Sequence, residues 1–203
     1  MINVGIIHYT GKDRGTLPAT IASLHRAGIT SVTVFADAGE HGPTRNLIRA
    51  LTLLSGDNRH EFVLVVDDDM EFHPEAFTNL WRGTVPFRSV RSLWTIEQNI
   101  PHDERDERGW VKVEPHLHLC GGAVVMERER ARIVAATMRN LLNEYPDLGT
   151  KPDATLYEAI RLANLDLYFH IPSLADHIGT SESTIGNTHE HGETRGYLFE
   201  QTA

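Results

Sequence analysis

The chain has 203 residues, with 28 Asp plus Glu against 19 Lys plus Arg, which gives a formal charge of −9 with 12 histidines left uncounted. At that length and 40% apolar composition it can bury the core of a single domain, so disordered and fibrous classes are excluded. No apolar stretch approaches the roughly 18 to 20 residues needed to span a bilayer, and MINVGIIHYT lacks a signal peptide's pattern, so a soluble, cytoplasmic protein is expected.

Residues 2–7 (INVGII) form a nearly continuous β-branched run, as expected of a strand buried on both faces. A polar, glycine-bearing loop follows over 9–15. Leu17, Ile21, Leu24 and Ala27 then fall at helical spacing, with Gly28 as the stop. Residues 31–36 (SVTVFA) predict a second strand that ends at Asp37. A second helix starts near Pro43 and carries Leu47, Ile48, Leu51 and Leu54 on one side. The third strand, 61–66 (EFVLVV), runs directly into Asp67, Asp68 and Asp69. This β-α-β-α-β alternation predicts an α/β fold with a doubly wound, mostly parallel sheet.

Beyond the aspartates, residues 73–81 read as a helix with Pro74 in its first turn, and 85–96 as one or two strands. The charged stretch 97–114 predicts an exposed loop or hairpin. HLHLCGGAVVM, 116–126, predicts a strand interrupted by Gly121 and Gly122, followed by an amphipathic helix over about 127–144. Asp153 stands where a helix cap belongs, and 167–171 is the last predicted strand. From Thr180 onward a mobile tail is expected.

Ligands of open α/β sheets bind beyond the carboxyl ends of the strands, so the residues following each apolar run are the candidate site. Asp67 and Asp69 point to one side of an extended chain and Asp68 to the other. Two carboxylates about 5 Å apart repel by roughly 3 kcal/mol at an effective dielectric near 20. Three in succession therefore call for a cation or a shifted pKa, unless the run is only a solvated turn before the next helix. Hard ions such as Mg²⁺ or Mn²⁺ take oxygen ligands and complete their shell with substrate phosphates and water. His177, after the last strand, either completes such a carboxylate site or hydrogen-bonds its own loop. Asp153 is either a general base kept ionised by a helix start or simply its N-cap. His116, His118 and Cys120 share one face of a predicted strand, which admits zinc or an ordinary alternating strand. Cys120 is the only cysteine, so no internal disulfide can form and a reducing compartment fits. His189 and His191 read as solvated.

In this order the features resemble a GT-A type glycosyltransferase over about residues 2–185. Thr10-x-x-x-Arg14 with the helix after it resembles the first nucleotide-facing loop. Asp37, Gly42 and Asn46 resemble the base and ribose region of the donor pocket. VLVVDDDMEFHPEAF resembles the DxD motif, and PSLADHIGTSEST the closing His-Ile-Gly segment. The resemblance implies a single GT-A domain over 1–180, with residues 181–203 as a mobile tail or lid. It implies a hexosyl- or pentosyltransferase that uses Mn²⁺ or Mg²⁺ and a nucleoside-diphosphate sugar. Asp67, Asp69 and His177 would serve the metal. Thr10, Arg14, Asp37, Asn46, Asp67, Asp68, Gly121 and Gly122 would serve the nucleotide sugar, and Asp153 would be the base of an inverting reaction.

The acceptor hydroxyl is left between a glycan and a hydroxymethylated pyrimidine in DNA, because the first part of the chain also resembles small phage-type transferases linked to modified DNA. Arg82, Arg88 and Arg91 would then supply a local basic edge on an acidic protein. A nucleotidyltransferase acting on sugar phosphates and a non-catalytic nucleotide-binding module are the alternatives.

Overall fold

The computed structural model describes residues 1–12, 15–83, 85–86, 88–115, 121–178 and 196–199. Among them, β1 (Ile2–Tyr9), α1 (Leu17–Arg26), β2 (Thr33–Asp37), α2 (Pro43–Gly56) and β3 (Phe62–Asp67) follow the expected alternation. The chain continues through β4 (Met70–Phe72), α3 (Ala76–Leu80), β5 (Ser89–Ser92), β6 (Gly109–Val113), β7 (Ala123–Glu127), α4 (Arg128–Glu144), α5 (Pro152–Leu162), β8 (Asp166–Ile171) and β9 (Ala175–His177).

Seven strands form one sheet in the order β2-β1-β3-β7-β5-β8-β6, while β4 and β9 form a separate antiparallel pair. β1 is parallel to β2 and β3, and β5 is parallel to β8; β7 is antiparallel to both β3 and β5, and β6 to β8. Five strands therefore point to one edge. The start of β7 lies at that same edge, because Val66 at the end of β3 faces Ala123.

Alternation along the strands separates two cores. Val63 and Val65 of β3, with Val124 and Met126 of β7, face α2, α4 and α5, where Leu51, Met138 and Leu156 are fully buried. Leu64 and Val66, with Ala123 and Val125, face α1, β4 and α3, packing on Leu24, Met70 and Leu80. Helices on both faces make the sheet doubly wound in a single domain. Burial on both sides explains the nearly continuous apolar runs of β1 and β3.

Several elements differ from the sequence reading. The stretch over 97–114 is not only loop: after two short 3₁₀ turns, residues 109–113 form β6 on the sheet edge. The helix expected over 73–81 contracts to α3, and the two three-residue strands β4 and β9 appear beside the aspartates. Residues 116–120 lie outside the described residues, and with them His116, His118 and Cys120. Arg91 is buried, not part of a basic edge; its guanidinium lies 5.5 Å from the centroid of Trp81 and 5.9 Å from that of Trp110. Arg82 and Arg88 precede β5, at the edge opposite the strands' carboxyl ends.

α2 packs closely on β1 because Gly5 has no side chain. A methyl group there would lie 2.7 Å from Leu54 Cδ1 and 2.7 Å from Phe35 Cε2. Gly5→Ala is therefore expected to destabilise the fold by about 1–3 kcal/mol, as overpacking does. Urea unfolding should show a lower midpoint with an unchanged slope.

Candidate active site at the carboxyl edge of the sheet

The turn after β3 is anchored at every residue. The Asp67 N–H donates to Gly122 O at 2.8 Å, tying the end of β3 to the chain just before β7. Thr20 Oγ1 of α1 donates to Asp68 O at 2.8 Å. The Ile178 N–H donates to Asp69 O at 2.8 Å. Antiparallel pairing of Met70 with His177 then brings the last strand alongside the motif.

Asp68 and Asp69 are directed to different histidines. Asp68 is turned into the interior on the α1 side, where its Oδ2 accepts a hydrogen bond from His8 Nδ1. Asp69, 3% exposed, is directed to His177, whose Nε2 lies 2.9 Å from Asp69 Oδ2. Asp67 is partly exposed at the strand end. The His177 ring stacks on Trp94, with centroids 5.7 Å apart and planes at 23°.

Asp153 is not the cap of α5. Lys151 holds that position and Asp153 lies in the first turn. Its carboxylate instead accepts the Gly121 N–H, and its pKa is pushed up to about 6 by desolvation first and by the charge of Asp69 second, against the lowering effect of that hydrogen bond. Two glycines create the space: a methyl group on Gly121 would overlap Asp153 Oδ1, and one on Gly122 would lie 2.8 Å from Met70 Sδ and 3.1 Å from Trp94. Asp69, Asp153, His177, Gly121 and Gly122 thus meet at one edge of the sheet, with Trp94 as one wall.

Other candidates take structural positions. Asp37, at the end of β2, is buried and accepts the N–H groups of His41 at 3.1 Å and Gly42 at 3.0 Å. Burial pushes its carboxyl up, but the backbone N–H groups of His41, Gly42 and Gly39 outweigh that and hold it below its ordinary value. Gly42 has φ +77°, which favours glycine at this turn into α2. Asn46 is 1% exposed inside α2, and its Nδ2 donates to Phe35 O at 2.7 Å. Thr10 is exposed and its hydroxyl reaches Asp37 O at 3.4 Å. Arg14 lies outside the described residues, as do His189 and His191.

Of the segment expected to be a tail, residues 196–199 are described and are held beside the site. Tyr197 N–H donates to Thr95 O at 2.8 Å, and Ser173 N–H donates to Tyr197 O at 2.9 Å. Asp176 Oδ1 accepts the N–H groups of both His177 and Gly196. Sequence reasoning passes over His8, Thr20, Trp94 and Asp176. His8 had one legible signal, a polar side chain on the same face of β1 as the buried Val4 and Ile6.

A carboxyl with a raised folded pKa favours the folded state below its unfolded value, near 3.8, and that advantage is lost as pH rises through about 6. Ionised Asp153 therefore destabilises the metal-free protein at neutral pH, by up to about 3 kcal/mol. Asp153→Asn should raise Tm in chelator at pH 7 and give little or no gain at pH 4, read by thermal unfolding at both values.

The sequence matches no protein-family model and no curated protein. Two solved structures are similar in architecture. The A197 protein from STIV aligns over 89% of this chain and 87% of its own, with a TM-score of 0.53 and 14% identity. The catalytic domain of Drosophila β1,4-galactosyltransferase 7, in complex with xylobiose, aligns over 95% of this chain and 76% of its own, with a TM-score of 0.50 and 14% identity. At such identity the likeness is one of architecture, and together with the mostly parallel seven-stranded sheet it gives this chain a single-domain GT-A fold.

Proposed function

We propose that the protein is a glycosyltransferase that moves a sugar from a nucleoside-diphosphate sugar to an acceptor hydroxyl. The observation that carries this reading is the convergence of Asp69, His177 and Asp153 at the carboxyl edge of a GT-A fold. No described helix is long and apolar enough to cross a membrane.

The donor set fits a divalent ion of the Mn²⁺ or Mg²⁺ type. Asp67 and Asp69 offer hard oxygens and His177 a nitrogen already within 2.9 Å of Asp69 Oδ2. Among the described residues no three His, Cys, Asp or Glu side chains are grouped closely enough to hold a metal by themselves. An ion of this type commonly completes its shell with substrate phosphates and water. When bound, such an ion would neutralise the negative charge growing on the departing nucleoside diphosphate.

The chain's own residues would do the rest. Gly121 and Gly122 leave room for the donor sugar against Asp153 and Trp94. Asp153 takes the proton from the acceptor hydroxyl as that oxygen attacks the anomeric carbon, with inversion. Desolvation, the first cause of its raised pKa, suits this role, because it makes the carboxylate a stronger base. Trp94 and His177, stacked over each other, wall off one side from water. A glycan hydroxyl fits the acceptor better than DNA, because Arg91 is buried and Arg82 and Arg88 lie across the sheet from the site.

Thermal stabilisation by a panel of nucleotide sugars, each with Mn²⁺, Mg²⁺ or chelator, tests the reading. A ligand at 100 times its Kd raises stability by about 2.7 kcal/mol. A metal-dependent shift is expected for the wild type and none for Asp69→Ala; no shift with any donor would overturn the proposal. Asp153→Asn should bind donor as the wild type does and lose at least about a hundredfold in transfer rate, as loss of a general base does. Near-wild-type turnover would remove Asp153 from that role.

A further inference from the structure

We infer that His8 and Thr20 form a clamp on Asp68 that positions Asp67 and Asp69 for the cation. The inference rests on the metal-dependent reading above and names residues that this reading does not require. It starts from Asp68, a carboxylate only 7% exposed in the middle of the acidic run, paired with a histidine that is itself 7% exposed. A carboxylate in the interior needs a hydrogen-bonding partner, and on the face of β1 that carries Val4 and Ile6 the next residue, His8, supplies it.

The geometry gives the pair a purpose beyond packing. His8 follows Val4 and Ile6 on the α1 face of β1, and Asp68 follows Leu64 and Val66 on the same face of β3 and its turn. Strands β1 and β3 are parallel neighbours, with Ile7 opposite Asp67, so the two side chains meet just past the end of the apolar layer. Thr20 of α1 holds the same residue from a second direction through its carbonyl oxygen, at 2.8 Å. Asp68 is thus gripped by side chain and main chain at once, one residue from each proposed ligand.

That grip opposes a definite force. Asp67 and Asp69 flank Asp68 with like charges, and their repulsion in the absence of a cation favours splaying the turn. Anchoring the middle residue to β1 and α1 keeps the turn in a cation-ready shape before any cation arrives. Residues that hold metal ligands from behind contribute in this way, and their loss commonly weakens metal affinity or activity by about 10–100-fold. His8 is therefore a positioning residue, since it touches neither substrate nor the reacting atoms.

The test compares wild type, His8→Leu, His8→Asn and Thr20→Val for binding of Mn²⁺, followed by the resonance of the free ion, with and without UDP. Tm in chelator is measured in parallel. Wild type should bind Mn²⁺ and Asp69→Ala should not; if wild type binds none under either condition, the metal-dependent reading fails and the clamp with it. Given wild-type binding, His8→Leu should weaken Mn²⁺ by about 10–100-fold. His8→Asn, which restores a donor near the Nδ1 position, should recover most of that loss. In transfer assays the KM for Mn²⁺ should rise while kcat at saturating metal changes little, a split that simple loss of folded protein does not produce. Folded His8→Leu binding Mn²⁺ within about twofold of wild type would overturn the clamp. If His8→Leu does not fold, Thr20→Val decides, since it removes only the grip on the carbonyl. An affinity loss of about threefold or more supports the proposal, and unchanged affinity overturns it.

Discussion

Like charge held in a confined place is the constraint around which this molecule is organised. Asp67, Asp68 and Asp69 follow one another at the end of a strand buried on both faces, and Asp153 approaches the same point closely enough for Asp69 to raise its pKa. Asp68 and Asp69 are buried there, so the repulsion has to be met by direction and by partners. Asp67 is partly exposed at the end of β3. His8 and His177, from opposite ends of the chain, each face one of the carboxylates. The backbone then fixes the turn through Gly122, Thr20 and Ile178.

The sheet topology explains how residues so far apart in sequence reach one place. β7 runs against its neighbours, so its beginning coincides with the ends of β1, β3 and β5. The glycine pair before β7 thereby enters the acidic edge, and α5, packed behind it on α4, brings in Asp153. Neither a fully parallel sheet nor a longer side chain at residue 121 would allow that meeting.

Much of this was legible from sequence, for physical reasons that also mark where legibility stops. The long apolar runs of β1 and β3 and the helical spacing of Leu47, Ile48, Leu51 and Leu54 carry strong periodic signals. β4 and β9 are three residues each, too short for any period, and β6 lies among charges because an edge strand tolerates them. Asp37 and Asn46 stand at the positions expected of a donor pocket, and the Asp37 carboxylate and Asn46 Nδ2 also bond the protein's own backbone. Composition does not tell a side chain that meets a ligand from one that completes a turn. Asp153 reads as a cap because Asp caps helices well; its acceptor role toward Gly121 depends on a neighbour 32 positions away that only the fold brings close.

One oxygen links the end of the chain to the site. Asp176 Oδ1 receives both the N–H of His177 and the N–H of Gly196, and Gly196 packs so tightly on Ser173 and Ala175 that no side chain fits there. Residues 196–199 therefore share a fulcrum with the histidine that faces Asp69. A change in how that short segment seats would tilt the strand bearing His177 without altering any residue of the acidic edge. Such a segment gives evolution a way to tune the site from a distance, through the orientation of a backbone.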